Sequence, residues 1–102
     1  MLITALLVAP SAAAQPPLRL STSITDDVGA LNGSGRAAIQ SASGKLYNDR
    51  RIQLWVVFVD DFSGRSAVSW ARDTSAASDL GDFNAILAVA TVDHSYAFLV
   101  PD

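Results

Sequence analysis

The sequence predicts an α/β domain, a three-layer α/β/α sandwich with a small mixed sheet of three or four strands and two helices. Residues 52–59 are an almost unbroken run of apolar, β-branched and aromatic side chains, and residues 83–91 repeat this composition. A strand that is apolar on both faces needs cover on both faces, which places it centrally in a sheet. Between the two runs lies a stretch with helical periodicity. A strand–helix–strand unit of this length predicts a parallel pair.

The first part of the chain predicts a lead-in and one helix. Residues 18–24 alternate loosely and indicate either a short first strand or an extended segment. A helix is expected from Asn32 or Ser34, whose side-chain oxygens can accept a free backbone N–H of the first turn, to about Asp49. Its inner stripe should consist of the residues that recur at helical spacing, which are Ala38, Ile39, Ala42 and Leu46.

The second part of the chain predicts a second helix and a hairpin. Ser66 is a suitable N-cap for a helix that runs to about Ala77. The residues expected on its inner side are Ala67, Trp70, Ala71 and Thr74. Residues 96–100 form a third apolar strand after a four-residue connection, so that strand should pair antiparallel with residues 83–91.

The composition of the chain limits the classes of function that it can have. The chain has 102 residues, enough for one small domain, and half of them are hydrophobic. The net charge of −3 argues against a nucleic-acid partner, which would require a basic face. The absence of cysteine excludes disulfides, thiolate metal sites and cysteine nucleophiles.

The amino end predicts export. Residues 1–9 are apolar, and Ala12-Ala13-Ala14 fits a signal-peptidase motif with cleavage before Gln15, although no Lys or Arg precedes the apolar run. The alternative is a buried amino-terminal helix or strand. We therefore expect a signal peptide or its remnant at 1–14, a linker or lead-in strand at 15–23 and the domain at 24–102. The expected location is extracytoplasmic, with membrane association only through the signal or a downstream anchor.

Four segments resemble the TPM domain family, named from thylakoid-lumen, photosystem II-repair and receptor-modulator proteins. They keep the family's order over residues 24–100 and are Asp26–Leu31, Gly64–Ala67, Asp82–Ala90 and the turn Val92–His94. Two residues depart from the family pattern: Ala85 replaces a glycine and His94 replaces an arginine. The resemblance implies that the family's carboxyl-terminal part, a strand-like segment and a helix, is missing from 24–102. One sheet face would then be short of cover.

The resemblance also sets expectations for function. TPM domains have an α/β sandwich fold and lie mostly outside the cytoplasmic membrane, and similar domains occur in exported actinobacterial proteins. Some members bind calcium or magnesium, and some plant members are credited with acid phosphatase activity. The resemblance therefore implies an envelope module that binds an unknown envelope protein or a ligand, with a metal-dependent acid phosphatase as the alternative.

Acidic residues at the strand ends are the candidate site. We expect a divalent-ion site for calcium or magnesium formed by Asp26, Asp60, Asp61, Asp82 and Asn84, since these ions prefer oxygen ligands. The competing interpretation is that these residues accept backbone N–H bonds in turns and at helix starts.

No catalytic or cofactor-binding residue is predicted. His94 is the only histidine and reads as a solvated turn residue. Ser63 and Ser66 lack a nucleophile-elbow context and read as caps. If the protein is a phosphatase, substitution of Asp26 and Asp60 by Asn should abolish turnover without unfolding it. A binding module would show no turnover to lose.

Overall fold

A computed structural model describes residues 15–101, which form one four-stranded mixed sheet and two helices. The signal peptide expected at 1–14 lies outside the described residues. The elements in chain order are β1 (Ile24–Asp26), α1 (Gly33–Arg50), β2 (Gln53–Val59), α2 (Ala67–Ala77), β3 (Asn84–Ala90) and β4 (Ser95–Leu99).

The sheet confirms the predicted strand arrangement. Its order is β1-β2-β3-β4, with β1, β2 and β3 parallel and β4 antiparallel to β3. The register places Val57 beside Ala88 and Ala88 beside Ala97, so equivalent positions of the three longer strands share a face. The carboxyl ends of β1, β2 and β3 therefore lie along one edge of the sheet.

Helix α2 packs on the face that carries the main core. The Ser66 hydroxyl accepts a hydrogen bond from the backbone N–H of Ser69 at 3.1 Å and begins the helix. Trp70, Ala71 and Thr74 are fully buried, as predicted, and the Trp70 ring lies 5.0 Å from that of Phe62. These side chains pack on the faces of β2, β3 and β4 that carry Val57, Ile86 and Ala97, among others.

Helix α1 lies on the opposite face and is held more loosely. Asn32 is its N-cap, with its Oδ1 2.7 Å from the backbone nitrogen of Gly35. No residue of α1 is fully buried, although Val56, which points away from α2, is buried beneath it. Of the predicted stripe, Ile39 and Leu46 are half-buried, whereas Ala38 and Ala42 are exposed. The expected inner stripe is therefore covered only in part, because α1 lies over only part of this face.

The lead-in takes the second of the two forms that the sequence allowed, an extended segment. Residues 15–23 form no strand, and β1 begins only at Ile24. The lead-in instead packs beside α2: the backbone N–H of Leu20 donates to the Ser78 hydroxyl at 2.8 Å, and the Trp70 indole N–H donates to the Gln15 carbonyl at 2.7 Å. The backbone groups of Gln15 and Leu20 thus bond to side chains of α2 and its C-cap, and the segment meets the sheet at its end, where the Ser23 carbonyl accepts the backbone N–H of Val56 at 2.8 Å.

Candidate functional site

The loops after the three parallel strands lie side by side at the carboxyl edge of the sheet. The backbone N–H of Asp27 donates to the carbonyl of Phe58 at 3.3 Å, next to the end of β2. On the other side of β2, the backbone N–H of Val92 donates to the carbonyl of Asp60 at 2.9 Å. These bonds extend the strand pairing into the loops and fix the backbone from which the acidic side chains project.

Three of the predicted site residues, Asp26, Asp60 and Asp61, belong to this carboxyl edge. Two further acidic residues, Asp27 and Asp93, occupy the same loops and were not predicted as site residues. The signal that could have found them is their position, because each follows a parallel strand directly or within three residues. The edge thus carries five carboxylates.

The Asp26 carboxylate accepts hydrogen bonds from backbone N–H groups. Its two oxygens accept hydrogen bonds from the backbone N–H groups of Ala30 and Leu31, each at 2.9 Å. Burial raises the pKa of Asp26, but the hydrogen bonds from Leu31, Ala30 and Val28 and the positive charge of Arg36 outweigh this effect and lower the pKa below its ordinary value. Asp26 is therefore ionised over the whole physiological range and organises the turn before α1.

The two aspartates after β2 differ in the hydrogen bonds that their carboxylates accept. One oxygen of Asp61 accepts the backbone N–H of Ser63 at 2.8 Å, which closes a local turn. Asp60 is half-buried, and its carboxylate accepts no hydrogen bond from the described residues. Both carboxylate oxygens of Asp60 are consequently available to an added ligand, as are those of Asp27 and Asp93 at the same edge.

Asp82 and Asn84 lie at the opposite edge, because they precede β3 and do not follow it. β3 has seven residues, so its two ends are separated by about 20 Å. Asn84 pairs with Gln53 at the start of β2. Its Oδ1 accepts the indole N–H of Trp55 at 2.8 Å, and its amide nitrogen donates to the carbonyl of Gly81 at 3.3 Å. Asn84 therefore joins two strand starts.

The structure divides the five predicted ligands between two edges and does not bring them together. Within residues 15–101, no three acidic or histidine side chains are close enough to one another to hold a metal ion. An ion at the carboxyl edge would therefore require side-chain rearrangement around Asp60 and Asp61 or additional water ligands.

The opposite, amino-terminal edge has an open groove of about 880 Å³. Arg50, Asp82 and Phe83 line it, together with Val100 and Pro101 after β4. Phe83 is 69% exposed. Both charge signs and an exposed aromatic ring are present there, which gives the groove no single ligand preference.

The three residues considered as catalytic candidates in the sequence analysis cap a helix or lie in turns. Ser66 caps α2, and Ser63 and His94 have left-handed backbone conformations, with φ of 58° and 54°. His94 is exposed in the turn between β3 and β4. Among the described helices, none combines the length and apolarity needed to cross a bilayer.

Comparison with known proteins gives a consistent result. The sequence model of the TPM domain matches residues 24–102. Two curated relatives from strains of Mycobacterium tuberculosis, UPF0603 protein MT2410 and UPF0603 protein Rv2345, are each 54% identical over 101 residues. The match covers 99% of this chain but only 15% of either relative's length.

A solved structure shares the fold. It is the solution NMR structure of the N-terminal domain of cg2496 protein from Corynebacterium glutamicum, with a TM-score of 0.70 and 23% sequence identity. The match covers 79% of this chain and 54% of that one.

Proposed function

Because this chain belongs to the TPM domain family, we propose that it is a binding module of an exported protein and that its binding surface is the acidic carboxyl edge of the sheet. The observation that carries this proposal is the convergence of the loops after β1, β2 and β3, with Asp60 between them. A surface with five carboxylates favours a cationic ligand, either a divalent ion or a basic segment of an envelope protein.

The divalent ion is the more specific form of the proposal. Asp60 and Asp61 are adjacent in the chain, and the carbonyl groups of the neighbouring loops offer further oxygen ligands of the type that calcium accepts. With the Asp26 carboxylate held by two backbone N–H groups, Asp60 and Asp61 would have to supply most of the charge. Such a site would bind weakly, in the range of about 0.1–1 mM typical of extracellular calcium modules.

A titration of the 102-residue chain with calcium and magnesium, followed by amide NMR, tests this form. We expect the amides of residues 26–27, 60–61 and 91–93 to shift together and saturate. Asp60→Asn should weaken binding by about tenfold, because affinity depends on the number of charged ligands. Asp82→Asn is the matched control, since it removes an exposed aspartate at the opposite edge and should leave binding unchanged.

Two results would contradict the ion-binding form. In the first, the amides of the carboxyl edge show no chemical-shift change at about 10 mM of either ion, a concentration well above the dissociation constants of extracellular calcium modules. In the second, Asp82→Asn weakens binding as much as Asp60→Asn does. In either case, the proposal is reduced to a protein partner with a basic segment.

A metal-dependent acid phosphatase remains the alternative from the sequence. It would need an ion at the carboxyl edge to activate a water molecule. A phosphatase assay with the ion that binds, on the wild type and on Asp60→Asn, distinguishes enzyme from binding module. Turnover that Asp60→Asn abolishes without unfolding the protein would favour the enzyme.

A further inference from the structure

The main-chain carbonyl of Gln15 accepts a hydrogen bond from the core. Trp70 is fully buried, and its indole N–H donates to this carbonyl at 2.7 Å. Among the described residues, Gln15 thus supplies the acceptor for that N–H. A buried donor without an acceptor destabilises a folded protein, so the backbone of Gln15 completes the polar interactions of the core.

Two further hydrogen bonds hold the lead-in beside α2. The backbone N–H of Leu18 donates to the Thr74 hydroxyl at 3.3 Å, and that of Leu20 donates to the Ser78 hydroxyl at 2.8 Å. Leu20 is also part of the apolar core, and Leu18 packs against it. The position of Gln15 is therefore fixed by the segment that follows it as well as by its own carbonyl.

Cleavage at the predicted signal-peptidase motif makes Gln15 the first residue of the exported chain. The motif is Ala12-Ala13-Ala14, which lies outside the residues that the structure describes. In the precursor, the α-nitrogen of Gln15 is part of the peptide bond to Ala14, and cleavage converts it into an amine. An α-amine is mostly protonated at pH 7. Its positive charge would lie beside a carbonyl that bonds to a buried side chain, where a charge is unfavourable.

Glutamine at an amino terminus can remove this charge by an intramolecular reaction. The α-nitrogen attacks the side-chain Cδ, and the new N–C bond closes a five-membered lactam. The bond between Cδ and Nε2 breaks, and Nε2 leaves as ammonia with a proton from the α-nitrogen. Nothing is oxidised or reduced, and no second reactant is needed. The peptide bond to Pro16 stays intact, so the carbonyl that bonds to Trp70 is retained.

The surroundings of Gln15 allow this reaction. Its side chain donates from Nε2 to the carbonyl of Pro16 at 3.4 Å, an exposed contact with its own neighbour in the chain. Loss of Nε2 therefore breaks no described contact with another element. The nitrogen of Pro16 carries no hydrogen and cannot compete for Cδ. The α-nitrogen is consequently the backbone nucleophile that is available to this amide.

We propose that Gln15 is a modification site: once its bond to Ala14 is cut, its side chain and α-nitrogen cyclise to pyroglutamate. The ring removes the positive charge from the amino end and keeps the carbonyl that Trp70 requires. The inference rests on the export proposed above and is independent of the acidic edge and of any ion bound there.

Mass spectrometry of the full-length protein, produced in a bacterium that exports it, tests the proposal. Trypsin cuts after Arg19, and we expect the amino-terminal peptide to begin at Gln15. In most molecules its mass should be lower than that of the linear peptide by one ammonia. Gln15→Asn is the matched control: it keeps a side-chain amide, but cyclisation would need a strained four-membered ring, so its terminus should stay linear.

An isotope-labelled linear peptide of residues 15–19, added before digestion, measures cyclisation during preparation. A linear terminus at Gln15, or a cyclised fraction no greater than that of the added peptide, would overturn the inference and leave export standing. An exported protein whose amino terminus lies elsewhere would also overturn the inference alone. A protein that stays in the cytoplasm with residues 1–14 attached would overturn both the inference and the proposed export.

Discussion

At the scale of single residues, Asp26 illustrates how a carboxylate that looks like a ligand can be a structural anchor. Both of its oxygens accept backbone N–H groups from the turn that leads to α1. A backbone N–H bonded in this way favours the ionised form, and this is why the pKa of Asp26 is lowered. The residue is part of the acidic edge, but much of its hydrogen-bonding capacity is already used.

Substitution of Asp26 by Asn should destabilise the protein in a pH-dependent manner. At pH 7 we expect a loss of about 0.5–1.5 kcal/mol in the free energy of unfolding, because the Asn amide has one oxygen acceptor and can keep only one of the two backbone hydrogen bonds. Because the folded-state pKa is lowered, this contribution is fully present above the unfolded value of about 3.9 and is lost as the pH falls through the folded value. Urea denaturation of both proteins between pH 7 and pH 3 measures the narrowing difference.

The neighbouring residue provides the control for this prediction. Asp27 is exposed, and its carboxylate accepts no hydrogen bond from the described residues. Asp27→Asn should therefore change the free energy of unfolding by less than about 0.5 kcal/mol at pH 7. A pH-independent loss in Asp26→Asn would show that shape, and not charge, is what the turn requires.

At the scale of elements, the two helices have unequal support. α2 buries Trp70, Ala71 and Thr74, whereas α1 has no fully buried residue. Since most of the stability of a helix in a protein comes from packing, α1 should open more readily than α2. Its intrinsic helix propensity consequently matters more than it would for a well-packed helix.

Gly44 lies within α1, and Gly44→Ala should stabilise the protein by up to about 1 kcal/mol. A Cβ at this position would meet no atom within 4 Å, so the gain in helix propensity is not offset by a clash. Thermal denaturation and amide exchange in α1 measure the effect.

Gly64→Ala is the contrasting substitution. Gly64 has a φ of +80°, a conformation that L side chains rarely adopt. Alanine should therefore destabilise the protein there by about 1–2 kcal/mol, although the space around both glycines is open. Equal effects at the two positions would contradict the argument, because backbone conformation is the only difference invoked.

The elements also show what the sequence could predict. β2, β3 and α2 have residues whose pattern alone determines their burial, since strands that are apolar on both faces must be central. The stripe of α1 contains two alanines, and small side chains satisfy either a buried or an exposed position. Whether Ala38 and Ala42 are covered depends on where the helix lies across the sheet. The periodicity of the sequence carries no information about that position.

At the scale of the whole molecule, the lead-in joins the amino end of the described chain to α2. The Ser78 hydroxyl accepts the N–H of Leu20 and also donates to the carbonyl of Thr74 at 2.7 Å. The Thr74 hydroxyl, which is buried, accepts the N–H of Leu18 at 3.3 Å. Two hydroxyl groups on one helix thus replace a strand partner for this segment.

Ser78→Ala should detach the lead-in. The substitution leaves the Leu20 N–H without its acceptor, and a buried unsatisfied donor costs about 1–3 kcal/mol. We expect faster exchange of the Leu20 amide and a lower free energy of unfolding. Ser69→Ala, on the same helix, is the control: its backbone N–H bonds to Ser66, and that bond is retained. Unchanged exchange at Leu20 in Ser78→Ala would show that apolar packing alone holds the segment.

The candidate site was only partly predictable because its geometry depends on how the strands are arranged in the whole sheet. Asp60 and Asp61 follow a strand, and the rule that parallel strands gather their carboxyl ends at one edge places them correctly. Asp82 and Asn84 precede a strand, so the same rule places them at the far edge. The position of Asn84 beside Trp55 depends on the register of β2 and β3, which the sequence does not specify.

The chain's two tryptophans now have distinct surroundings, and this makes the protein its own optical probe. Trp70 is enclosed and bonded to the lead-in, so its emission should be blue-shifted and should respond when that segment detaches. Trp55 is partly exposed at the amino-terminal edge of the sheet and should emit at longer wavelength. With Trp55→Phe and Trp70→Phe as single-emitter variants, fluorescence alone can follow the two ends of the β2–α2 unit separately during unfolding.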